Sequence, residues 1–171
     1  MIRILGNKLE CAWLVYEKKK PIAYSLHYTR EKAISRAEKI RKFHSLKAKI
    51  VESKELDKKL EKRIKHVFEG RNVLIDLSPY RYKEVYTALL RVGAGKTITY
   101  SELVKITGLN IYQVIQALAH NPMLILIPCH RVIRKDKNPG GYTPLGKKFK
   151  IKLLRTEKFL KLSSNEKISA E

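Results

Sequence analysis

The sequence predicts an α/β N-terminal domain, a small β-sheet with helices, followed by a mainly α C-terminal domain with a helix-turn-helix and a PCHRV segment. Three observations lead to this fold class. An alternating apolar pattern around a charged turn predicts a β-hairpin, apolar residues at helical spacing predict helices, and two short helical patterns separated by a glycine predict the helix-turn-helix. With 171 residues, the chain has room for one domain or two small ones.

The N-terminal domain is predicted to span residues 1–77. The stretch CAWLVYEKKKPIAYSLHY contains two apolar runs around a charged turn that ends in Pro21, which predicts the β-hairpin. Two helices follow, and NVLIDL then predicts another short strand. The helices are predicted from Ala33, Ile34, Ala37 and Ile40, and from Leu56, Leu60, Ile64, Val67 and Phe68. This half of the chain contains no motif to which we can assign chemistry.

The C-terminal domain is predicted for residues 78–162 and begins at LSPYRY. Ser78 can cap a helix, and Pro79 suits the first turn of that helix. The helix is expected to end at Gly93. The following GAGKT suggests a phosphate-binding loop, but Leu90 stands where that motif needs a glycine, so we predict an ordinary turn.

A helix-turn-helix is predicted next. Thr99 and Glu102 have capping-box spacing, and the helix that they begin is expected to end at Gly108. The second helix has an inward set, Ile111, Val114, Ile115 and Leu118, and an outward set, Tyr112, Gln113, Gln116 and His120. The outward side chains suggest a DNA-reading helix, although many helical hairpins have no role in DNA binding.

The charge of the chain points to a polyanionic partner. Thirty-seven Lys and Arg against sixteen Asp and Glu give a formal net charge of +21. Nucleic acid is the first candidate, because neutralising phosphates releases counterions and supplies affinity that does not depend on sequence. A surface of ion-pair networks, as in thermophile proteins, is the alternative, but the acidic residues are too few to form ion pairs with all the Lys and Arg residues.

Several classes of protein are excluded or disfavoured. No apolar run approaches the roughly 20 residues of a membrane helix, so we expect a soluble, cytoplasmic protein. Only two cysteines occur, Cys11 and Cys129, and their surroundings lack zinc-ligand spacing, so neither a disulfide framework nor a metal site is expected. Residues 163–171 read as a polar tail that we expect to be disordered.

Cys129 has two possible roles at this point. MLILI predicts a buried strand that leads to Cys129. The first possible role is structural, because a free cysteine in such a place is often a small buried residue. Pro128, however, interrupts strand pairing, and the basic His130 and Arg131 would favour a thiolate. Glu157, on the apolar face of the last predicted helix, needs a hydrogen-bond partner and could orient His130, as in a nucleophile, base and orienter arrangement.

These motifs together resemble a known family. NPMLILIPCHRVI, the upstream TYSELVKITG, and the downstream GGY and LLRTE are similar to the O6-alkylguanine-DNA alkyltransferases, also called methylated-DNA–protein-cysteine methyltransferases. The resemblance covers roughly Ser78 to Leu160. The N-terminal half shows no motif that we can match, although members of the family usually carry a variable α/β domain there.

The resemblance implies a stoichiometric DNA repair reaction without a cofactor. Cys129 would attack the alkyl carbon and keep the alkyl group as a thioether. His130 would take the thiol proton through a water, with Glu157 hydrogen-bonded to its imidazole. The partner would be double-stranded DNA containing O6-alkylguanine, and the protein would act as a monomer.

Further site residues follow from the same resemblance. Tyr100 would donate to the guanine ring and help to rotate the nucleotide out of the duplex. The backbone at Val132 would read the exocyclic amine, and Tyr142 and Thr143 would belong to a loop that closes over the base. Asn121 would tie the recognition helix to the active-site strand. The predicted DNA contacts are Tyr112, Gln113, Gln116 and Arg131.

The chain departs from the family pattern in two places. Tyr112 stands where the family usually has an arginine that fills the gap left by the flipped base, and Ile115 and Gln116 replace small glycines. After Tyr142, TPLG replaces a small residue and two glycines. A non-catalytic lesion binder, similar to the alkyltransferase-like proteins, is therefore an alternative. A helix-turn-helix regulator and a Cys-His hydrolase are further ones.

Overall fold

The N-terminal half forms an antiparallel sheet covered by helices. The computed structural model describes the backbone of residues 1–169 and the side chains of residues 1–158. In chain order the elements are β1 (Ile2–Ile4), β2 (Asn7–Val15), β3 (Pro21–His27), α1 (Arg30–Phe43), β4 (Lys49–Val51) and α2 (Lys54–Phe68). β2 pairs with β3 along one edge and with β1 and β4 along the other. The predicted hairpin and both predicted helices are confirmed.

The C-terminal half is mainly helical. Its elements are α3 (Lys83–Leu90), β5 (Ile98–Thr99), α4 (Tyr100–Thr107), α5 (Ile111–Ala119), a 3₁₀ turn (Cys129–Arg131), β6 (Val132–Ile133) and α6 (Lys147–Ser169). β5 and β6 form a short parallel pair. The capping box of Thr99 and Glu102 is present, and Gly108 ends α4 with a φ of 71°. The predicted fold class, including the helix-turn-helix of α4 and α5, is confirmed.

The two halves share one apolar core. Tyr24 of β3 is fully buried, and its backbone N–H donates to the carbonyl of Pro122 at 3.0 Å. The hydroxyl of Tyr24 donates to the carbonyl of Leu124 at 2.5 Å. The N-terminal sheet therefore holds the segment that leads to Cys129, while the boundary at residue 77 stays a prediction.

Helix α1 contacts the C-terminal end of α5. The guanidinium of Arg36 donates from Nη2 to the carbonyl of Ala119 at 2.9 Å. His44, which follows α1, lies 2.8 Å through Nε2 from the carbonyl oxygen of His120. The ring of Phe43 stacks on that of His120, with the centroids 4.1 Å apart. These contacts satisfy carbonyl groups that a helix end leaves without partners, so α1 supports the predicted recognition helix from behind.

Two predictions about the junction between the halves are wrong. The NVLIDL segment forms no strand, because both edges of β2 are occupied and the backbone of β3 bonds to Pro122. The predicted helix at Ser78 and Pro79 does not form either, and α3 begins only at Lys83. The buried Tyr80 hydroxyl donates to the carbonyl of Ile22, which fixes this segment in a turn instead.

The predicted MLILI strand is also wrong, although its burial is confirmed. Residues 123–127 form a compact turn in which Ile125 has a positive φ of 77°. The side chain of Asn121 holds this turn, donating from Nδ2 to the carbonyl of Ile127 at 2.8 Å and accepting from the N–H of Met123 at 3.0 Å. A short buried run has no periodicity that separates a strand from a compact turn.

The last helix extends further than the sequence predicted. α6 continues to Ser169, through most of the segment 163–171 that we expected as a disordered tail. From Lys147 onward the sequence contains neither glycine nor proline, the residues that most often end helices. Residues 170–171 lie outside the described part of the chain. Among the described residues, no helix is long and apolar enough to span a membrane.

Candidate functional site

A pocket of about 390 Å³ opens at Cys129, between α4, α5 and the loop before α6. It brings together four residues predicted for the site, which are Tyr100, Cys129, Tyr142 and Thr143. Apolar side chains of α5 form one wall. A pocket that is mostly apolar with a few convergent polar groups is the usual form of a small-ligand or base-binding site.

The Cys129 thiol is buried at the start of the 3₁₀ turn. The backbone N–H of Cys129 donates to the carbonyl of Ile127 at 2.8 Å. The same carbonyl also accepts a hydrogen bond from the Asn121 side chain. Burial raises the pKa of the thiol, while a hydrogen bond from the Asn121 side chain and the charges of Lys150 and Arg36 act to lower it. The resting thiol is therefore protonated, and a nucleophilic reaction needs a base.

His130 and Arg131, the two residues that follow Cys129, form a buried triad of ionisable groups with Glu157. His130 Nε2 lies 2.8 Å from Glu157 Oε1, and Arg131 binds the same carboxylate through Nε and Nη2 at 3.0 and 2.7 Å. Burial alone would raise the pKa of Glu157, but the hydrogen bonds and charges of His130 and Arg131 outweigh it and lower the pKa to about 2. Glu157 is thus an ionised carboxylate inside the protein, and its predicted contact with His130 is present.

His130 is a neutral imidazole in the folded protein. Burial lowers its pKa, against the opposite effect of Glu157. With Nε2–H donating to Glu157, the lone pair lies on Nδ1, and Nδ1 has no hydrogen-bond partner among the described residues. A buried unpaired acceptor is costly unless a water or a substrate reaches it.

Arg131 is buried inside the protein, so its position does not support the predicted contact with DNA. Its side chain is only 5% exposed. Its guanidinium is occupied by Glu157 and by the carbonyl of Val92. A guanidinium fits a carboxylate through two parallel hydrogen bonds, so the buried Glu157 takes it away from the surface.

Lys150 belongs to the site, and the sequence reasoning missed it. It is almost fully buried, lines the pocket, and donates from Nζ to the carbonyls of Val132 and, at 3.3 Å, Gly141. Burial lowers the pKa of Lys150 to about 8. Lys150 stands seven residues before Glu157 on the same helix, a spacing that places both on one face and could have revealed it.

The loop before α6 and the N-terminus of α4 complete the pocket. The Tyr142 ring is buried and stacks on Phe149, with the centroids 6.4 Å apart, and its hydroxyl has no hydrogen-bond partner among the described residues. Thr143 is exposed. Gly140 lies beside Tyr100, where an added Cβ would make an ordinary contact of 3.5 Å with the phenol oxygen, and its φ of 72° favours glycine.

The outer face of α5 differs from the predicted one. Tyr112 is 66% exposed, as expected, but Ile111 and Ile115 are 49% and 46% exposed rather than inward. They line the mouth of the pocket, and the inward contacts come from Val114 and Ala117. The surface beside the pocket is therefore apolar.

The two glutamines of α5 have different surroundings. Gln113 Oε1 accepts the N–H of Asn110 at 3.0 Å and Asn110 Oδ1 accepts that of Gln113 at 2.9 Å, a second capping box. This oxygen is committed to the helix start, which the sequence analysis did not foresee. Gln116 is partly exposed, and its predicted contact with DNA stays a prediction.

The described residues contain no cluster of three His, Cys, Asp or Glu side chains that could hold a metal ion. The chemistry that the site can support comes from Cys129, His130, Glu157 and Lys150. These residues provide a thiol, a neutral base with a free lone pair, a carboxylate that orients the base, and a cation beside the sulfur. Such a set can perform nucleophilic attack by sulfur.

Comparison with known sequences connects this site to DNA repair proteins. Residues 81–159 match the family model described as 6-O-methylguanine DNA methyltransferase, DNA binding domain. A methylated-DNA–protein-cysteine methyltransferase of Methanothermobacter thermautotrophicus is 37% identical over 107 residues, 58% of this chain and 60% of that protein. One of Archaeoglobus fulgidus is 34% identical over 112 residues, 59% of this chain and 75% of that protein. The chain spans 60%, 65% and 62% of the length of three such relatives.

Two solved structures have a similar fold. The O6-methylguanine-DNA methyltransferase of Pyrococcus kodakaraensis strain KOD1 aligns with a TM-score of 0.69 and 20% identity, over 91% of this chain and 95% of that one. The OGT protein of Mycobacterium tuberculosis, solved in complex with DNA, aligns with a TM-score of 0.50 and 30% identity, over 58% of this chain and 64% of that one. The first likeness extends over both halves of the fold.

Proposed function

Because the chain belongs to the family of the methylated-DNA–protein-cysteine methyltransferases, we propose that it repairs DNA by transferring the alkyl group of O6-alkylguanine to its own Cys129. The observation that carries this proposal is the Cys129 thiol in a mostly apolar pocket, followed in sequence by a buried histidine that is hydrogen-bonded to Glu157. The relatives' names supply the substrate class. The activity is that of a methylated-DNA–protein-cysteine S-methyltransferase acting once per molecule, without a cofactor.

The proposed reaction moves one alkyl carbon from oxygen to sulfur. His130 accepts the thiol proton at Nδ1 through a water, and Glu157 stabilises the imidazolium that forms. The sulfur attacks the alkyl carbon in line, so that the S–C bond forms as the C–O6 bond breaks and its electron pair stays on the guanine. Tyr100 donates a proton to the guanine ring, and the proton that His130 took from Cys129 reprotonates Tyr100 through solvent. The products are guanine and a thioether.

Lys150 and Asn121 assist this step through electrostatics and position. The ammonium of Lys150 and the Asn121 side chain both favour the thiolate over the thiol. Asn121 also sets the turn that presents Cys129. A cation held in a site of low dielectric constant stabilises developing negative charge more strongly than it would in water.

Base extrusion explains why the fold pairs this pocket with a helix-turn-helix. The O6 atom of guanine lies within the base stack, so the nucleotide must leave the duplex to reach Cys129, at a cost of a few kcal/mol that is smaller for a poorly paired base. The exposed face of α5 borders the pocket. A net charge of +21 supplies the grip on phosphates. Function as a monomer in the cytoplasm stays a prediction.

A titration with excess substrate tests this function. Purified protein is incubated with increasing duplex that carries one O6-methylguanine, and the repaired guanine is counted. The amount of repaired base is expected to level off at one per protein molecule, because nothing in the described part of the pocket hydrolyses a thioether. Continued turnover would indicate a hydrolase instead.

A lesion-binding protein without transfer is the second candidate. The unusual α5, with Tyr112 and the exposed Ile115, favours it. The presence of Cys129 with a positioned base argues against it, because the alkyltransferase-like proteins lack the acceptor cysteine. In the titration, this candidate predicts tight binding and no repaired guanine.

Tyr112→Ala is expected to slow repair of duplex DNA by about 5- to 150-fold, because an aromatic ring stacked on a base contributes about 1–3 kcal/mol. Tyr112 is exposed on α5, and its proposed role is to fill the gap that the extruded base leaves. Single-turnover rates on duplex DNA measure the effect, with Tyr112→Phe as the matched control that keeps the ring. Equal rates for Tyr112→Ala and the wild type would rule out the stacking role.

A further inference from the structure

A second pocket of about 380 Å³ lies beside the active site, between α1 and the loop before α6. On the α1 side, its lining residues are polar or positively charged. On the other side, they belong to the loop before α6. The lining residues are His27, Lys32, Ser35, Arg36, Lys39, Tyr142, Thr143, Pro144 and Gly146. None of them is acidic, so the pocket holds three cationic side chains without a carboxylate of its own.

The positive charge of this pocket is not neutralised by nearby residues. No carboxylate of the described residues lies within ion-pair distance of Lys32, Arg36 or Lys39. Burial is the main cause that lowers the pKa of His27, and the positive charges of Lys32 and Arg36 lower it further. Cations that are held together without acids favour an anionic ligand.

Arg36 provides an independent sign of a missing ligand. The residue is 8% exposed, and its only hydrogen bond among the described residues runs from Nη2 to the carbonyl of Ala119. Its Nε is buried and has no partner within the described part of the chain. A guanidinium has five N–H donors and usually satisfies them when buried, and its planar geometry suits a phosphate group.

The position of the pocket indicates where such a phosphate would come from. Tyr142 and Thr143 line both this pocket and the active-site pocket, so the two share a rim. We expect the backbone of a strand whose nucleotide enters the active-site pocket to pass this shared rim. Arg36 also contacts the last turn of α5, the helix that borders the active-site mouth.

We propose that the pocket of Lys32, Arg36 and Lys39 binds a phosphate group of the DNA backbone next to the extruded nucleotide. This inference rests on the proposed function and extends it, because it gives the N-terminal half a share of the DNA contact. α1 then supports α5 from behind and holds the DNA strand at the same time. Phosphate contacts of this kind position a protein on DNA without reading sequence.

The salt dependence of DNA binding tests the proposal. The variant Lys32→Gln/Lys39→Gln is compared with Lys58→Gln/Lys62→Gln, which removes two exposed lysines of α2 and lowers the net charge equally. The slope of log Kd against log salt is expected to fall by roughly 0.9 for each DNA phosphate that the first variant no longer neutralises. Binding at moderate salt is expected to weaken about fivefold, while the control keeps the wild-type slope. Equal slopes in both variants would overturn the proposal.

A second arm separates DNA phosphate from free phosphate. Inorganic phosphate is titrated calorimetrically into the wild type and the Lys32→Gln/Lys39→Gln variant at constant ionic strength. Saturable binding of inorganic phosphate that this variant loses, together with an unchanged DNA slope, would assign the pocket to a free anion and overturn the DNA assignment. The slope of log Kd against log salt depends on DNA binding and not on alkyl transfer. It can therefore be measured in a protein that also carries Cys129→Ala, and a failure of the proposed transfer reaction would not affect it.

Discussion

Cys129→Ala is expected to abolish alkyl transfer and to leave affinity for duplex DNA within about twofold of the wild type, because the buried thiol takes no part in the grip on phosphates. Among the described residues that line the pocket, Cys129 is the only cysteine, and it is the nucleophile that we propose. Cys11 cannot replace it, because that thiol is buried in the N-terminal sheet, where burial and Asp57 raise its pKa.

Transfer of labelled methyl groups and a binding assay on the same duplex measure both effects. Cys11→Ala is the matched control and should transfer at the wild-type rate. Persistent transfer by Cys129→Ala would place the acceptor elsewhere in the chain.

Glu157→Gln is expected to lower the free energy of unfolding by about 3–5 kcal/mol, because it leaves the buried guanidinium of Arg131 without its counter-charge. Transfer should also slow, since His130 loses the charge that stabilises its protonated form. DNA binding should be unaffected. Urea unfolding and single-turnover rates measure these effects. Glu55→Gln, which breaks an exposed pair with Lys59, should cost less than about 1 kcal/mol.

The effect of Glu157 on stability should depend on pH. Its pKa in the folded protein is about 2, below the ordinary value of 4.5, so ionised Glu157 stabilises the fold fully above about pH 4.5. That contribution is lost as the pH falls toward 2. The gap in stability between wild type and Glu157→Gln should therefore shrink over this range. Equal stability of the two proteins at pH 7 would show that the ion pair has no net effect.

Local patterns predict most of the regular structure correctly. The β-hairpin, both N-terminal helices and the capping box at Thr99 depend on residues close together in sequence, where alternation, helical spacing and capping leave a clear signal. The wrong predictions concern segments decided by distant residues. The turn at MLILI is held by the nearby Asn121 and by the distant Tyr24, and the segment at Ser78 by a bond between Tyr80 and the distant Ile22. No local pattern contains the contacts of Tyr24 and Ile22.

The residues of the candidate site also divide into those that the sequence predicts and those that tertiary contacts decide. The contact of His130 with Glu157 is predictable, because an acidic residue on an apolar helix face requires a partner. The charge of Arg131 suggests a DNA contact, but the same carboxylate captures its guanidinium inside the protein. Lys150 resembles the many other lysines of the chain in sequence, and only its depth in the fold brings its ammonium to the carbonyl of Val132. Burial of long charged side chains is a tertiary property that sequence spacing suggests but does not decide.

The most direct test of the account is to locate the transferred group. The protein is incubated with a duplex carrying one isotopically labelled O6-methylguanine, digested, and mapped by peptide mass spectrometry. We expect the label on the peptide that contains Cys129, as a thioether, at no more than one group per molecule. Tight binding of the duplex with no label on the protein would contradict the account and identify a lesion-binding protein instead.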